Sequence, residues 1–164
     1  MAMTPNETAP PDTAYADAAT RLLRGRPATR DALLPLLHAL QDEFGYIADA
    51  MIPVVAAALN LSRADVHGVV TFYHDFRRAP AGAHLVRLCR AESCQARGAA
   101  TIERIATQRL GVTMGATSAD GRVTVEPVYC LGLCATGPNA LVDGRPVSRL
   151  DAAKLERIAA EVLA

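Results

Sequence analysis

The stretch HLVRLCRAESCQ, residues 84–95, carries the strongest structural signal in the second half of this 164-residue chain. Its first five residues form a short run of strand-favouring residues that ends at Cys89. This run predicts a strand that leads directly into a cysteine-bearing loop. A second strand candidate, residues 123–129, runs in the same way into CLGLC, residues 130–134. These two stretches hold all four cysteines of the chain. The pattern therefore predicts that two cysteine pairs lie at one end of one sheet.

Helix and turn signals complete an α/β pattern around these strands. An amphipathic helix is marked by apolar residues between Ile102 and Leu110 and is closed by Gly111. Further strands are predicted at residues 112–117 and 140–142, and a final helix begins at Asp151. The predicted order is β-α-β-β-β-α, an α/β domain with a small central mixed sheet.

The preceding part of the chain has a helical pattern with few glycines. Leucines recur at helix spacing from Leu33 to Leu40, with Pro35 near the helix start, and Gly45 ends this helix. A second helix is predicted over about residues 48–59. A third should begin at Ser62, because the spacing SRAD allows a capping box.

Composition shifts divide the chain into three parts. Residues 1–13 are rich in Pro and Thr with little to bury, which predicts a flexible tail. Residues 14–80 form the predicted helical N-terminal region, and RRAPAG, residues 77–82, marks a boundary. Residues 81–164 then form the predicted α/β domain.

Charge and hydropathy exclude several classes of function. Seventeen basic residues balance seventeen acidic ones, so no strong field would gather nucleic acid. The N-terminus lacks the pattern of a secretory signal. The longest apolar run, residues 51–59, is about half of the roughly 20 residues that span a bilayer, so membrane insertion is not expected. A cytoplasmic location is predicted, where paired cysteines more often bind metal or carry redox chemistry than form structural disulfides.

The cysteine spacing, C-x4-C followed by C-x3-C, indicates a metal centre. Four convergent thiolates suit zinc or an iron-sulfur cluster. Zinc knuckles usually have tighter C-x2-C turns, so the wider spacing favours a two-iron cluster, while zinc and a disulfide or free-thiol state remain alternatives. Dithiol exchange is disfavoured, since it needs a C-x-x-C pair.

Few other residues are candidates for chemistry. The four histidines lack metal-ligand spacing, and no glycine-rich phosphate-binding motif is present. Neither a catalytic residue nor a nucleotide site is therefore predicted. Arg87, Arg90 and Arg97 flank the first cysteine pair, where positive charge would favour reduction of an anionic cluster.

The cysteine pattern, together with GYI at residues 45–47 and GVVTFY at residues 68–73, closely resembles the 24-kDa subunit family of NADH:ubiquinone oxidoreductase. These proteins are the thioredoxin-like [2Fe-2S] ferredoxins. The resemblance covers about residues 30–164. It implies a helical region followed by a thioredoxin-like domain, and one [2Fe-2S] cluster whose four ligands are Cys89, Cys94, Cys130 and Cys134.

Within that family, YHDFR at residues 73–77 and CRAESCQ at residues 89–95 are similar to the gamma subunit of soluble NAD-dependent formate dehydrogenases. This similarity implies a non-catalytic electron-transfer subunit, inactive alone, in a hetero-oligomer. Its partners would be a subunit that binds FMN and NAD and a molybdenum-containing subunit that oxidises formate. The alternatives are the equivalent subunit of a NAD-reducing hydrogenase diaphorase or of respiratory NADH:quinone oxidoreductase, and a zinc-stabilised interaction module without a redox role.

Overall fold

The computed structural model describes residues 12–25 and 27–164. It divides into two compact units, one that ends at Pro80 and one that spans Ala81–Ala164. The predicted tail lies largely outside the described residues, and the first helix already begins at Asp12. Within the two described ranges, no helix is both long and apolar enough to cross a membrane.

The first unit is a helical bundle, and local sequence signals set its helix ends. Gly45 takes a left-handed conformation with φ 80° where the second helix ends, as glycine does at such positions. Ser62 and Asp65 form the predicted capping box at the start of the fourth helix. The elements are α1 (Asp12–Leu22), a 3-10 turn (Arg30–Ala32), α2 (Leu33–Phe44), α3 (Met51–Leu59) and α4 (Arg63–Phe72).

The core of this unit is aliphatic, with one tyrosine and one phenylalanine among its buried members. Leu37, Leu40 and Val55 are fully buried, which agrees with the predicted leucine pattern and with the predicted apolar stripe of α3. The helix predicted from residue 48 begins at Met51, because residues 49 and 50 form a turn. The predicted helical region is therefore present with small shifts in its boundaries.

The second unit is built on a five-stranded mixed sheet of order β2-β3-β1-β4-β5. Strands β1 and β3 are parallel, and the other neighbouring pairs are antiparallel. Two long helices share a core with the sheet and pack against each other. The elements are β1 (His84–Cys89), α5 (Glu92–Ala96), α6 (Ala99–Leu110), β2 (Ala116–Thr117), β3 (Val123–Val128), a 3-10 turn (Cys134–Thr136), β4 (Ala140–Val142), β5 (Arg145–Val147) and α7 (Ala152–Val162).

The mixed α/β class is confirmed, with three local differences from the predicted order. The strand predicted at residues 112–117 has only its last two residues in the sheet, as β2. Strand β5, which contains Pro146, was not predicted, and it occupies the edge position that a strand proline tolerates. The short helix α5 also replaces part of a predicted loop.

Candidate metal centre

The two cysteine segments meet because β1 and β3 are parallel neighbours. In the register of this pair, Cys89 lies opposite Val128, the last residue of β3. The amide of Arg90 then donates to the carbonyl of Val128 at 2.8 Å, which extends the pairing beyond the cysteine. Since both strands end at the same edge of the sheet, the segment after β1 and the loop that holds Cys130 leave from one place.

The first pair is buried. Cys89 is 3% exposed at the end of β1, and Cys94 is 1% exposed on α5, which corrects the prediction that this pair lies in a loop. The Cys94 thiol donates a hydrogen bond to the Cys89 sulfur. Burial raises the pKa of the Cys94 thiol, and its hydrogen bond to Cys89 raises this pKa further.

The second pair lies on a tightly turned loop and is exposed. Cys130 has φ 87° and Gly132 has φ 73°, so two of three successive residues take left-handed conformations. Only glycine adopts this region without strain, which explains the glycine between the two cysteines. The Gly132 amide donates to the Cys130 sulfur at 3.4 Å, and Cys134 opens a 3-10 turn.

Backbone amides link the second segment to the first pair. The amides of Cys130 and Leu131 donate to the Cys89 sulfur, as does the amide of Ala91. Burial alone would raise the pKa of Cys89, but these amides and the Cys94 thiol lower it overall, because each hydrogen bond stabilises the thiolate. The structure thus brings Cys89, Cys94 and the start of the CLGLC loop into contact.

The side chains of the second pair are not closed over the first. Among residues 12–25 and 27–164, no three His, Cys, Asp or Glu side chains are grouped as ligands of a single metal ion. All four cysteines are free thiols. That the four bind one cluster stays a prediction from the sequence.

Comparison with known proteins decides the family. The family model described as thioredoxin-like [2Fe-2S] ferredoxin matches residues 19–163. The chain belongs to the thioredoxin-like [2Fe-2S] ferredoxin family. The predicted family is therefore confirmed, and with it the predicted cofactor, one [2Fe-2S] cluster.

Similar proteins include components of NADH-quinone oxidoreductases. One such protein, from Pseudomonas aeruginosa, is 36% identical over 114 residues, which are 70% of this chain and 69% of that protein. Its counterpart from Mycobacterium bovis is 36% identical over 136 residues, 82% of this chain, and the match spans 54% of that longer protein.

Among solved structures, an NAD⁺-reducing [NiFe]-hydrogenase in the air-oxidised state matches with TM-score 0.69 and 26% identity. The match covers 80% of this thioredoxin-like ferredoxin but 23% of the hydrogenase chain. The chain thus corresponds to about a quarter of that larger protein.

The residues around the thioredoxin-like ferredoxin's cysteines fit an anionic cluster. Backbone amides already donate to the sulfurs of Cys89, Cys94 and Cys130. Sulfurs that ligate a negatively charged iron-sulfur cluster are stabilised by such donors, which also raise the reduction potential. The donor set of thiols and surrounding N–H groups is therefore the chemistry that this cofactor needs.

The arginines near the site contribute less positive charge to the cysteines than the sequence indicates. Arg87 pairs with Glu126 and Arg90 pairs with Glu103, each at 3.2 Å, so carboxylates offset both positive charges. Arg97 approaches the site through its aliphatic chain, since its Cδ lies 3.2 Å from the position where a Cβ on Gly137 would be. The amides, more than the arginines, supply positive potential at the sulfurs.

One contributor to the site escaped the sequence analysis. Asn139 is 2% exposed and bonds to both cysteine segments. The only sequence signal for it is an asparagine immediately before a short strand, which is more often a turn residue. Of the histidines, His84 bonds to Asp143 at 2.8 Å, at the far end of β1 from Cys89, in agreement with a structural role.

Proposed function

We propose that this chain is a [2Fe-2S] electron-transfer subunit of an NAD-dependent oxidoreductase complex, with Cys89, Cys94, Cys130 and Cys134 as the cluster ligands. The observation that carries the proposal is the contact between the two cysteine segments: the Arg90 amide donates to the Val128 carbonyl at 2.8 Å, and the Asn139 side chain donates both to the Leu133 carbonyl at 2.7 Å and to the Cys94 sulfur at 3.7 Å. Two segments distant in sequence therefore meet at one end of the sheet.

The four cysteines fall into a buried pair and an exposed pair. Cys89 and Cys94 are buried and form a fixed inner side of the site. Cys130 and Cys134 are exposed and would supply the two outer ligands from the solvent side. When bound, the cluster would accept and store one electron. Tyr129 and Leu133 flank the outer ligands and are 66% and 37% exposed. A partner protein can therefore contact the chain beside these ligands.

The partner chemistry follows from the family. A flavin subunit that binds FMN and NAD exchanges two electrons with the nucleotide as a hydride, and this chain exchanges single electrons with that flavin. The similar NADH-quinone oxidoreductase components and the NAD⁺-reducing hydrogenase are both named for NAD-linked electron transfer, which supports this assignment. The chain contributes no catalytic residue, and we place the complex in the cytoplasm, where its free thiols stay reduced.

For the parent enzyme we propose formate dehydrogenase, with a molybdenum-containing subunit beyond the flavin. The proposal rests on the YHDFR sequence at residues 73–77, which forms a turn anchored by Gln41. The Gln41 amide donates to the Asp75 carbonyl at 2.8 Å, and its oxygen accepts from the Arg77 amide at 2.7 Å. The neighbouring Phe72 is 73% exposed, so the turn lies beside a surface that a partner protein can contact. The alternative parents are respiratory NADH:quinone oxidoreductase and a hydrogenase diaphorase, which the similar NADH-quinone oxidoreductase components and the NAD⁺-reducing hydrogenase support.

The cofactor is tested on the full chain purified without oxygen. We expect two irons and two sulfides per chain, a visible chromophore, and an EPR signal that appears on reduction. One zinc per chain in a colourless, EPR-silent protein would replace this proposal with the zinc-stabilised interaction module.

The parent enzyme is tested by tagging the chain in its native cells and identifying the subunits that copurify. A molybdenum-containing subunit with formate-dependent reduction of NAD⁺ is the expected result. A nickel-iron subunit with hydrogen-dependent reduction, or quinone reduction by NADH, would keep the electron-transfer function and assign the chain to another complex.

A further inference from the structure

Asn139 makes contacts through both ends of its side-chain amide. Its side-chain Nδ2 donates to the Leu133 carbonyl at 2.7 Å and to the Cys94 sulfur at 3.7 Å. Its Oδ1 accepts from the Thr136 hydroxyl at 3.4 Å. At 2% exposure, the side chain has little access to water.

The backbone of the same residue also bonds to the first pair. The Asn139 carbonyl accepts from the Cys89 amide at 3.0 Å. One residue therefore contacts two proposed ligands of the first pair and the carbonyl that directly precedes Cys134. These contacts join the two cysteine segments.

We infer that Asn139 is a positioning residue for the cluster: it holds the CLGLC loop against Cys94 and places an N–H donor on the Cys94 sulfur. The inference rests on the proposed function, because it concerns how the proposed ligands are held. Asn139 does not bind iron, and it acts through Leu133 and Cys94.

Physical chemistry gives the side chain two separable effects. Without Asn139 the Leu133 carbonyl would keep its hydrogen bonds from the Thr136 amide and hydroxyl, but it would lose the bond that ties it to the residue in contact with Cys94, so the turn that holds Cys134 would be held less firmly against the first pair. A lost N–H···S hydrogen bond leaves more negative charge on the Cys94 sulfur, which disfavours the reduced cluster. The first effect shortens the lifetime of the cluster, and the second lowers its reduction potential.

The experiment compares Asn139→Asp, Asn139→Ser and the wild-type full chain, each reconstituted with its cluster. The aspartate keeps the shape but replaces the donor with a charged acceptor, whereas the serine keeps a shorter hydrogen-bond donor. Iron release to a chelator, the reduction potential from an EPR-monitored titration, and the melting temperature of the metal-free chain are measured for each.

We expect iron release from Asn139→Asp to be about 10- to 100-fold faster than from wild type, as for other residues that orient metal ligands. Its potential should be lower, and Asn139→Ser should fall between the two. If Asn139→Asp does not fold, Asn139→Ser alone tests the inference. Its iron release should then still be faster, and its reduction potential lower, than those of the wild type.

Thr124→Val is the matched control. Thr124 is another buried polar residue, 5% exposed, that donates or accepts hydrogen bonds at the opposite end of β3. This variant should lower the melting temperature and leave the potential and the release rate unchanged.

Unchanged potential and release in both Asn139 variants would overturn the inference, as would an equal shift in Thr124→Val. A wild-type chain that takes up no [2Fe-2S] cluster would instead overturn the proposed function. The two failures are therefore distinguishable.

Discussion

Cys89 lies directly opposite Val128 at the shared carboxyl ends of the parallel strands β1 and β3. This register decides the geometry of the site, because each strand is followed at once by a cysteine segment. Parallel pairing places the carboxyl ends of both strands at one edge. An antiparallel pair would have sent the two segments to opposite edges of the sheet.

Cys130→Ser should lose most of its iron and its visible chromophore when prepared without oxygen. The substitution replaces one of four proposed thiolate ligands with a hydroxyl, which binds iron weakly at neutral pH. Cys130 is exposed, so the fold itself should persist and the far-ultraviolet circular dichroism should be unchanged.

Ser93→Ala is the control for that experiment, because it removes a hydroxyl from α5 beside Cys94 and leaves all four sulfurs in place. This variant should keep its iron. A Cys130→Ser chain with full iron content and an unaltered spectrum would contradict the assignment of Cys130 as a ligand.

Ser62→Ala should lower the free energy of unfolding of the helical unit by about 1 kcal/mol, the usual cost of a lost helix cap. The Ser62 hydroxyl accepts from the Asp65 amide at 3.0 Å at the start of α4. Ser62→Gly should cost only a few tenths of a kcal/mol, because glycine caps helices better than alanine. Urea unfolding followed by circular dichroism measures both, and a Ser62→Ala variant as stable as the wild type would show that the cap bond is unimportant.

Much of this architecture could be predicted from local signals. The strand that ends at Cys89, the capping box at Ser62 and the helix after Asp151 are each specified by neighbouring residues. Apolar periodicity marks α2, α3 and α6 in the same way. The shared edge of the two cysteine segments followed from these local elements and from the way parallel strands align.

Features that depend on distant contacts could not be predicted. Helix α5 is short, and its ESCQA sequence has no apolar period to distinguish it from a loop. Strand β5 exists because Arg145 and Val147 pair with β4, in spite of Pro146 between them. The role of Asn139 depends on Leu133 and Cys94, which only the folded chain brings to it.

Asp143→Asn should destabilise the metal-free chain at neutral pH, with an effect that disappears in acid. Burial raises the pKa of the Asp143 carboxyl, but hydrogen bonds from His84 at 2.8 Å and from the Leu85 amide at 2.7 Å lower it overall. A pKa below that of the unfolded chain, about 3.9, means that folding favours the carboxylate. Its contribution is present above that pH and is lost as the pH falls through the folded-state pKa.

The difference in urea midpoint between wild type and Asp143→Asn should therefore shrink toward zero as the solution is acidified through the folded-state pKa of Asp143. A difference that stays the same from neutral to strongly acidic pH would mean that the ionised carboxyl contributes nothing.

Gly137→Ala should reduce the iron content and the cluster lifetime. An added Cβ would lie 3.2 Å from the Cys94 sulfur and 3.2 Å from Cδ of Arg97, closer than such contacts normally allow. The arginine chain is flexible and can move, but Cys94 is buried and can yield only by shifting its sulfur. A displaced ligand loosens the cluster even though the substitution adds one methyl group.

Gly68→Ala is the matched control, since it adds the same methyl group where no atom lies within 4 Å. Gly68 is exposed within α4, so alanine should raise the stability of the helical unit by up to about 1 kcal/mol through its higher helix propensity. The same substitution is thus expected to have opposite effects in the two units, measured as iron content for Gly137→Ala and as unfolding free energy for Gly68→Ala. Full iron retention by Gly137→Ala would show that the Cys94 sulfur has room to move, and that close packing against Gly137 does not hold it in place.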